Sequence, residues 1–365
     1  MSVDLDSYLK SGMENILRGA ISISRFDIRQ SLFMAGFARS CREAASRRES
    51  SKSMGKHIPP FLIASITSRC NLHCAGCYAR AINSCGDKEL TAQLTAEEWK
   101  AVFTEARDIG ISFIILAGGE PMIRKDVIAA AGDIPDIVFP IITNGTLIND
   151  EYIKLLNKRR NLIPIISIEG GQATTDKRRG QGTFAIIDST MKRLKKNRIM
   201  TGVSVTVTKE NLDEIISDEY VSALSLKGCS VMLLIEYVDV SGSSQLSIGD
   251  NERRIMEEGL NILRERHSNM LFVAFPGDER KAGGCLAAGR GFFHINSQGG
   301  AEPCPFSPYS DVNIRNTSLT EALNSDLFKK LNESDLLNME HSGGCVLFEK
   351  DSNVRELLTK QKMGM

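Results

Sequence analysis

The chain has 365 residues, enough for one large domain or for a domain with a smaller appendage. Lysine plus arginine and aspartate plus glutamate both total 45, so no global field argues for a nucleic-acid partner. No apolar run approaches the roughly 20 residues needed to span a bilayer. SLFMAGFA at 31–38 lies too far in, behind Arg25, Asp27 and Arg29, to be a signal peptide, and nine cysteines do not suit a secreted disulfide scaffold, so the chain reads as cytoplasmic.

In chain order, residues 1–57 form a basic, helical N-terminal arm. Leu17, Ile21, Ile28 and Leu32 fall near one face, suited to packing on the main domain, on a partner or on a membrane surface. From Pro59 to Phe275 apolar strands alternate with helical segments. FLIASIT (61–67) runs straight into a cysteine loop. TAEEWKAVFTEARDIG (95–110) opens with a capping box, Thr95 with Glu98, and stops at Gly110. ISFIILAGG, DIVFPIITNG, IPIISIEG, GVSVTVT and SVMLLIEYV follow, separated by helical spacing at 150–159, 183–197, 212–226 and 250–267. Six such strands predict an α/β fold, a partial (β/α)6 barrel of parallel strands, with a doubly wound sheet as the competing arrangement. In either, the site lies at the C-terminal strand ends.

Past residue 276 the chain becomes rich in glycine and proline, with a hairpin expected at GFFHIN–SQGG–AEPC and a helix near 319–331. This divides the chain into an arm at 1–57, a barrel at 58–275 and a small metal-stapled extension at 276–365.

The loop after the first strand reads RCNLHCAGCY and places Cys70, Cys74 and Cys77 at x3–x2 spacing. Three thiolates can hold three corners of a 4Fe–4S cube and leave one iron open. A zinc site, with Cys85 or His73 as fourth ligand, is the rival. A non-catalytic zinc module or electron carrier is therefore the alternative to an enzyme.

CNLHCAGC, followed by AGGEP (117–121), ITNGT (142–146) and SIEG (167–170) at successive strand ends, resembles the radical S-adenosylmethionine (radical SAM) superfamily over residues 58–275. The resemblance implies that SAM chelates the open iron and that its reductive cleavage gives a 5′-deoxyadenosyl radical. That radical takes hydrogen from a small molecule, lipid or peptide, with a flavodoxin or ferredoxin as electron donor. It implies that Gly118 and Gly119 let backbone approach the methionine moiety, that Glu120 accepts from its amino group, and that Pro121 limits the local backbone. Asn144, Ser167 and Thr206 are then neutral partners for SAM's carboxylate or ribose.

Two features depart from the family pattern. Gly76 stands where relatives carry an aromatic residue against adenine, so Tyr78 is expected to substitute. Glu169 stands where many have aspartate, as ligand or base. Glu236 and Tyr237, ending the sixth strand, are candidate catalytic residues, and Arg290 is a candidate substrate contact. Cys285, Cys304 and Cys345 resemble a shortened SPASM or twitch extension, implying an auxiliary iron–sulfur cluster whose fourth ligand is Cys229, another residue, water or substrate. Cys41 and Cys85 are expected to be plain small apolar residues. The short arm tilts the reading away from ribosomal peptides.

Overall fold

The computed structural model describes residues 5–23, 27–89, 92–240, 245–275, 284–339 and 344–362. The glycine-rich start of the extension, 276–283, lies outside them.

Two helices, α1 (Leu5–Ile23) and α2 (Ile28–Ser53), precede β1 (Phe61–Thr67). The chain continues through α3 (Tyr78–Ala81), α4 (Ala96–Ile109), β2 (Phe113–Gly118), α5 (Lys125–Gly132), β3 (Phe139–Thr143), α6 (Asp150–Lys158) and β4 (Leu162–Ser167). Next come α7 (Gln172–Arg179), α8 (Thr183–Lys196), β5 (Thr201–Val207), α9 (Leu212–Ile215), α10 (Asp218–Leu226) and β6 (Cys229–Glu236). The remainder holds α11 (Asp250–Arg266), β7 (Leu271–Phe275), β8 (Phe292–Ile295), β9 (Ala301–Glu302), α12 (Leu319–Leu323), α13 (Asp326–Glu333), α14 (Val346–Glu349) and α15 (Asp351–Lys362).

All strands join one sheet in the order β7-β6-β5-β4-β3-β2-β1-β8-β9. Every pairing is parallel except β8 with β9. The fold is the expected partial barrel of parallel strands with a helical arm and a C-terminal extension. Two details differ from the sequence reading. A seventh strand, β7, pairs with β6, and the expected hairpin does not stand apart: β8 pairs in parallel with β1, setting Phe61 opposite Phe292 and Ile63 opposite His294. That pairing occupies the backbone groups that β1 would otherwise present as a bare edge.

The two faces of the sheet bury different partners. Leu62, Ala64, Ile66, Ile114 and Leu116 lie on the outer face, packed with Trp99, Val102 and Phe103 of α4. The α4 capping box is present as expected: the Glu98 amide donates to Thr95 Oγ1 (3.2 Å) and the Thr95 amide to Glu98 Oε2 (2.7 Å). On the inner face Phe113, Ile163, Ile165 and Val231 meet Met13, Met34, Phe37 and Cys41 from α1 and α2. The arm thus closes the N-terminal end of the barrel. Its apolar residues do not form the single face expected, because Asp27 caps a second helix by accepting from the Arg29 and Gln30 amides. Leu17 packs inward, whereas Ile28 and Leu32 stay exposed.

Candidate active site

Beyond Thr67 the chain leaves the sheet and carries Cys70, Cys74 and Cys77, all half-buried, into the short helix α3. Neighbouring segments pin this loop by its backbone and flanking side chains. The Cys70 amide donates to Gly86 O (2.9 Å), the Ala75 amide to Arg178 O (2.8 Å), and the Arg80 guanidinium to Leu72 O (2.9 Å). Asn144 Nδ2 donates to Asn71 Oδ1 (2.9 Å), and Asn71 Nδ2 donates to Thr146 Oγ1 (2.9 Å).

Gly118 and Gly119 are glycines for a reason other than the one expected. A Cβ on Gly118 would stand 2.3 Å from Thr67 O, and one on Gly119 2.2 Å from Arg69 O. The backbone they admit is the chain's own cysteine loop, to which the Gly119 and Glu120 amides donate (2.8 Å each). The Glu120 side chain is 1 % exposed and already engaged. It accepts from Thr143 Oγ1 (2.6 Å) and from the amides of Asn144 (2.8 Å) and Met122 (3.0 Å). Burial pushes its pKa up, against these hydrogen bonds. Glu120 therefore ties the second strand end to the third, which leaves backbone rather than its carboxylate to meet an amino group. Pro121 is buried and opens a single 3-10 turn, Pro121–Ile123.

Sequence reasoning missed Arg178 and Arg179. Both donate to Glu169 Oε1, Arg179 Nε at 2.8 Å, while Glu169 Oε2 accepts from the Thr206 amide (3.1 Å). Glu169, 1 % exposed, is thus not the free base or ligand expected; it orients two guanidinium groups. Arg179 Nη1 lies 4.0 Å from Cys74 Sγ, and Arg178 donates to Thr206 Oγ1 (2.9 Å). Burial raises the Cys74 thiol pKa, and the two arginines lower it. The only sequence signal was a basic pair, DKRRG, directly after the fourth strand end. Ser167 Oγ shares a hydrogen bond with Ser204 Oγ (3.0 Å) on neighbouring strands.

The aromatic residues exchange their expected places. A Cβ on Gly76, whose φ is +65°, would lie 2.9 Å from the Tyr237 hydroxyl and ring edge. Tyr237 therefore packs over the cysteine loop. Tyr78 instead turns toward the extension, its ring 4.4 Å from that of Phe306, and burial pushes its pKa up. Glu236 is not free either: both carboxylate oxygens accept from Arg253 Nε (3.0 and 3.2 Å). Arg290 donates to Cys285 O (2.8 Å) and so braces the second thiol set.

The second thiol set lies in the extension. Cys285, Cys304 and Cys345 are all buried. The Cys304 thiol is hydrogen-bonded to Cys345, with Cys285 close enough to act on it electrostatically, and burial pushes its pKa well up. Gly344 abuts Glu236 and Tyr237, placing Cys345 at the C-terminal end of β6. Cys229 is ruled out as their fourth ligand, because it begins β6, about 23 Å away at ~3.3 Å per residue. Cys85 is not the isolated apolar residue expected: it is hydrogen-bonded to Cys77, which holds the Cys77 thiol pKa below its ordinary value.

Among the described residues, no three His, Cys, Asp or Glu side chains converge as around a single metal ion. Three separated, half-buried thiols with a guanidinium beside one of them fit an anionic multi-iron group with an open corner.

The radical SAM superfamily model matches residues 64–218, which contain the cysteine loop and the strand ends through β5. An AdoMet-dependent heme synthase of Methanosarcina barkeri is 30 % identical over 327 residues, covering 80 % of this chain and 88 % of that protein. The subtilosin biosynthesis protein AlbA of Bacillus subtilis is 27 % identical, covering 85 % of this chain and 72 % of its own. The fold is similar to that of Streptococcus suis SuiB with S-adenosylmethionine bound (TM-score 0.66, 19 % identity, 80 % of this chain and 72 % of that one). Loop, strand ends and a similarity over four-fifths of the chain agree, and the chain belongs to the radical SAM superfamily.

Proposed function

We propose that this enzyme cleaves SAM reductively at a 4Fe–4S cluster held by Cys70, Cys74 and Cys77 and abstracts hydrogen from an unactivated C–H bond of a substrate within the barrel. The carrying observation is the cysteine loop cross-tied to the AGGEP and ITNGT strand ends, with Arg179 beside Cys74. When bound, the cluster and SAM supply a 5′-deoxyadenosyl radical, the species that removes the hydrogen. The chain's own residues position and shield. Arg179 offsets thiolate charge, Glu120 locks two strand ends, Tyr237 covers the loop, and α1 with α2 seal the far end of the barrel.

Gly118, Gly119 and Pro121 supply the close backbone on which SAM's amino group would rest, and Asn144, Ser167 and Thr206 are proposed as neutral partners for its carboxylate or ribose. We assign Cys285, Cys304 and Cys345 to an auxiliary iron–sulfur cluster that passes single electrons, with a flavodoxin or ferredoxin as external donor. The organisation proposed is an arm at 1–57, a barrel at 58–275 and an extension at 276–365 whose β8 completes the barrel sheet.

Reciprocal coverage by a relative named as a heme synthase supports a small-molecule substrate. A peptide substrate is the second reading, favoured by the match to a bacteriocin biosynthesis protein. The test is anaerobic purification, iron and sulfide counting, and assay of 5′-deoxyadenosine after SAM and dithionite are added. About eight irons per chain with 5′-deoxyadenosine formed is expected for two 4Fe–4S clusters. Zinc in place of iron, with no cleavage after reconstitution, would sink the proposal. Iron-porphyrin precursors and short peptides, added separately, distinguish the substrate readings by which one accelerates SAM consumption.

A further inference from the structure

Between the two cysteine sets the sheet carries a hydrogen-bonded chain that none of the cluster chemistry uses. Ser65 on β1 and His294 on β8 lie on adjacent strands of the inner face, and Glu302 lies on β9. His294 Nε2 is 2.7 Å from Ser65 Oγ, and Nδ1 is 2.7 Å from Glu302 Oε2. The imidazole and the carboxylate are each only 5 % exposed. With Nδ1 donating to the Glu302 carboxylate, Nε2 presents its lone pair to the Ser65 hydroxyl. Asn296 Nδ2 donates to the other carboxylate oxygen (2.6 Å), which fixes Glu302 in place.

This chain opens on a pocket of about 200 Å³ lined by Ser65, Thr67, Tyr78, Gly118, His294 and Glu302. Tyr78 follows Cys77 directly and its ring lies tilted against that of Phe306 in the loop after Cys304, so the pocket lies between the loop proposed to hold SAM and the auxiliary set. Here one nitrogen is committed to a buried carboxylate and the other to a half-buried hydroxyl facing a cavity, the arrangement that turns serine into a proton donor and acceptor.

We infer that Ser65, His294 and Glu302 form a proton relay that receives a hydroxyl or thiol group of the substrate. The substrate's X–H proton moves to Ser65 Oγ as the serine's own proton moves to His294 Nε2. The substrate is left as the anion, the imidazolium is held by Glu302, and no electron changes hands. Ser65 touches the substrate; His294 and Glu302 act through it. The inference rests on the proposed function only in taking the barrel interior as the substrate's place.

The test probes Ser65 directly and needs neither cluster nor SAM. The anaerobically purified full chain is treated with methanesulfonyl fluoride, small enough for the pocket, and mapped by peptide mass spectrometry. Attack by Ser65 Oγ on sulfur expels fluoride while the proton passes to His294. Sulfonylation of Ser65 is expected, at least ~100-fold slower in His294→Gln, because without the imidazole the hydroxyl is an ordinary alcohol. An unlabelled Ser65, or equal labelling in His294→Gln, would overturn the relay. If that variant does not fold, the comparison is with wild-type chain unfolded in urea, where labelling at the native rate would overturn it equally. A labelled Ser65 in protein that never cleaves SAM upholds the relay while sinking the radical reading.

Discussion

Single residues decide how tightly the loop is held. Gly119→Ala would drive a Cβ to 2.2 Å from Arg69 O, a backbone atom that cannot turn aside. A loss of about 2–4 kcal/mol is expected, read as a lowered denaturant midpoint with reduced iron content. Glu120→Gln presents an amide nitrogen to donors that the carboxylate oxygens now accept, leaving one buried donor unsatisfied. A loss of about 1–3 kcal/mol is expected in the same measurement. Cys74→Ala should abolish 5′-deoxyadenosine formation. Cys304→Ala should keep part of it while lowering iron by about half, if that thiol serves the second of two clusters.

Elements contribute through the ties between them. Asp188 on α8 binds Lys192 on its own helix (2.6 Å) and Lys227 just before β6. Both lysines hold the Asp188 pKa below its ordinary 3.8. The tie therefore stabilises fully above that value and fades as pH falls through the lower folded pKa. Asp188→Asn should cost roughly 0.5–1 kcal/mol at pH 6 and progressively less as pH is lowered below 3.8, measured as urea midpoints. The arm was legible as helical, but its facing was not. A pattern over Leu17, Ile21, Ile28 and Leu32 assumes one continuous helix, and the Asp27 cap resets the phase, leaving Ile28 and Leu32 exposed.

At the scale of the molecule, the two cysteine sets are joined by β8 completing the sheet beside β1 and by the Tyr78 ring packed against Phe306. The described part of the extension is thus built onto the barrel, and no helix among the described residues is long and apolar enough to cross a membrane. The sequence alone determined what depends on local spacing: the capping box, the alternation of strands and helices, the three-cysteine loop and the glutamate-bearing strand ends. These rest on backbone period and nearest-neighbour chemistry, which survive without tertiary context. Only the tertiary structure decided which polar side chains are already spent. Glu120, Glu169 and Glu236 read as free acids in the sequence, yet each is buried against donors up to 37 residues away. The same long-range packing brought Arg179 to Cys74 and His294 to Ser65, pairings separated by 105 and 229 residues, which no local pattern encodes.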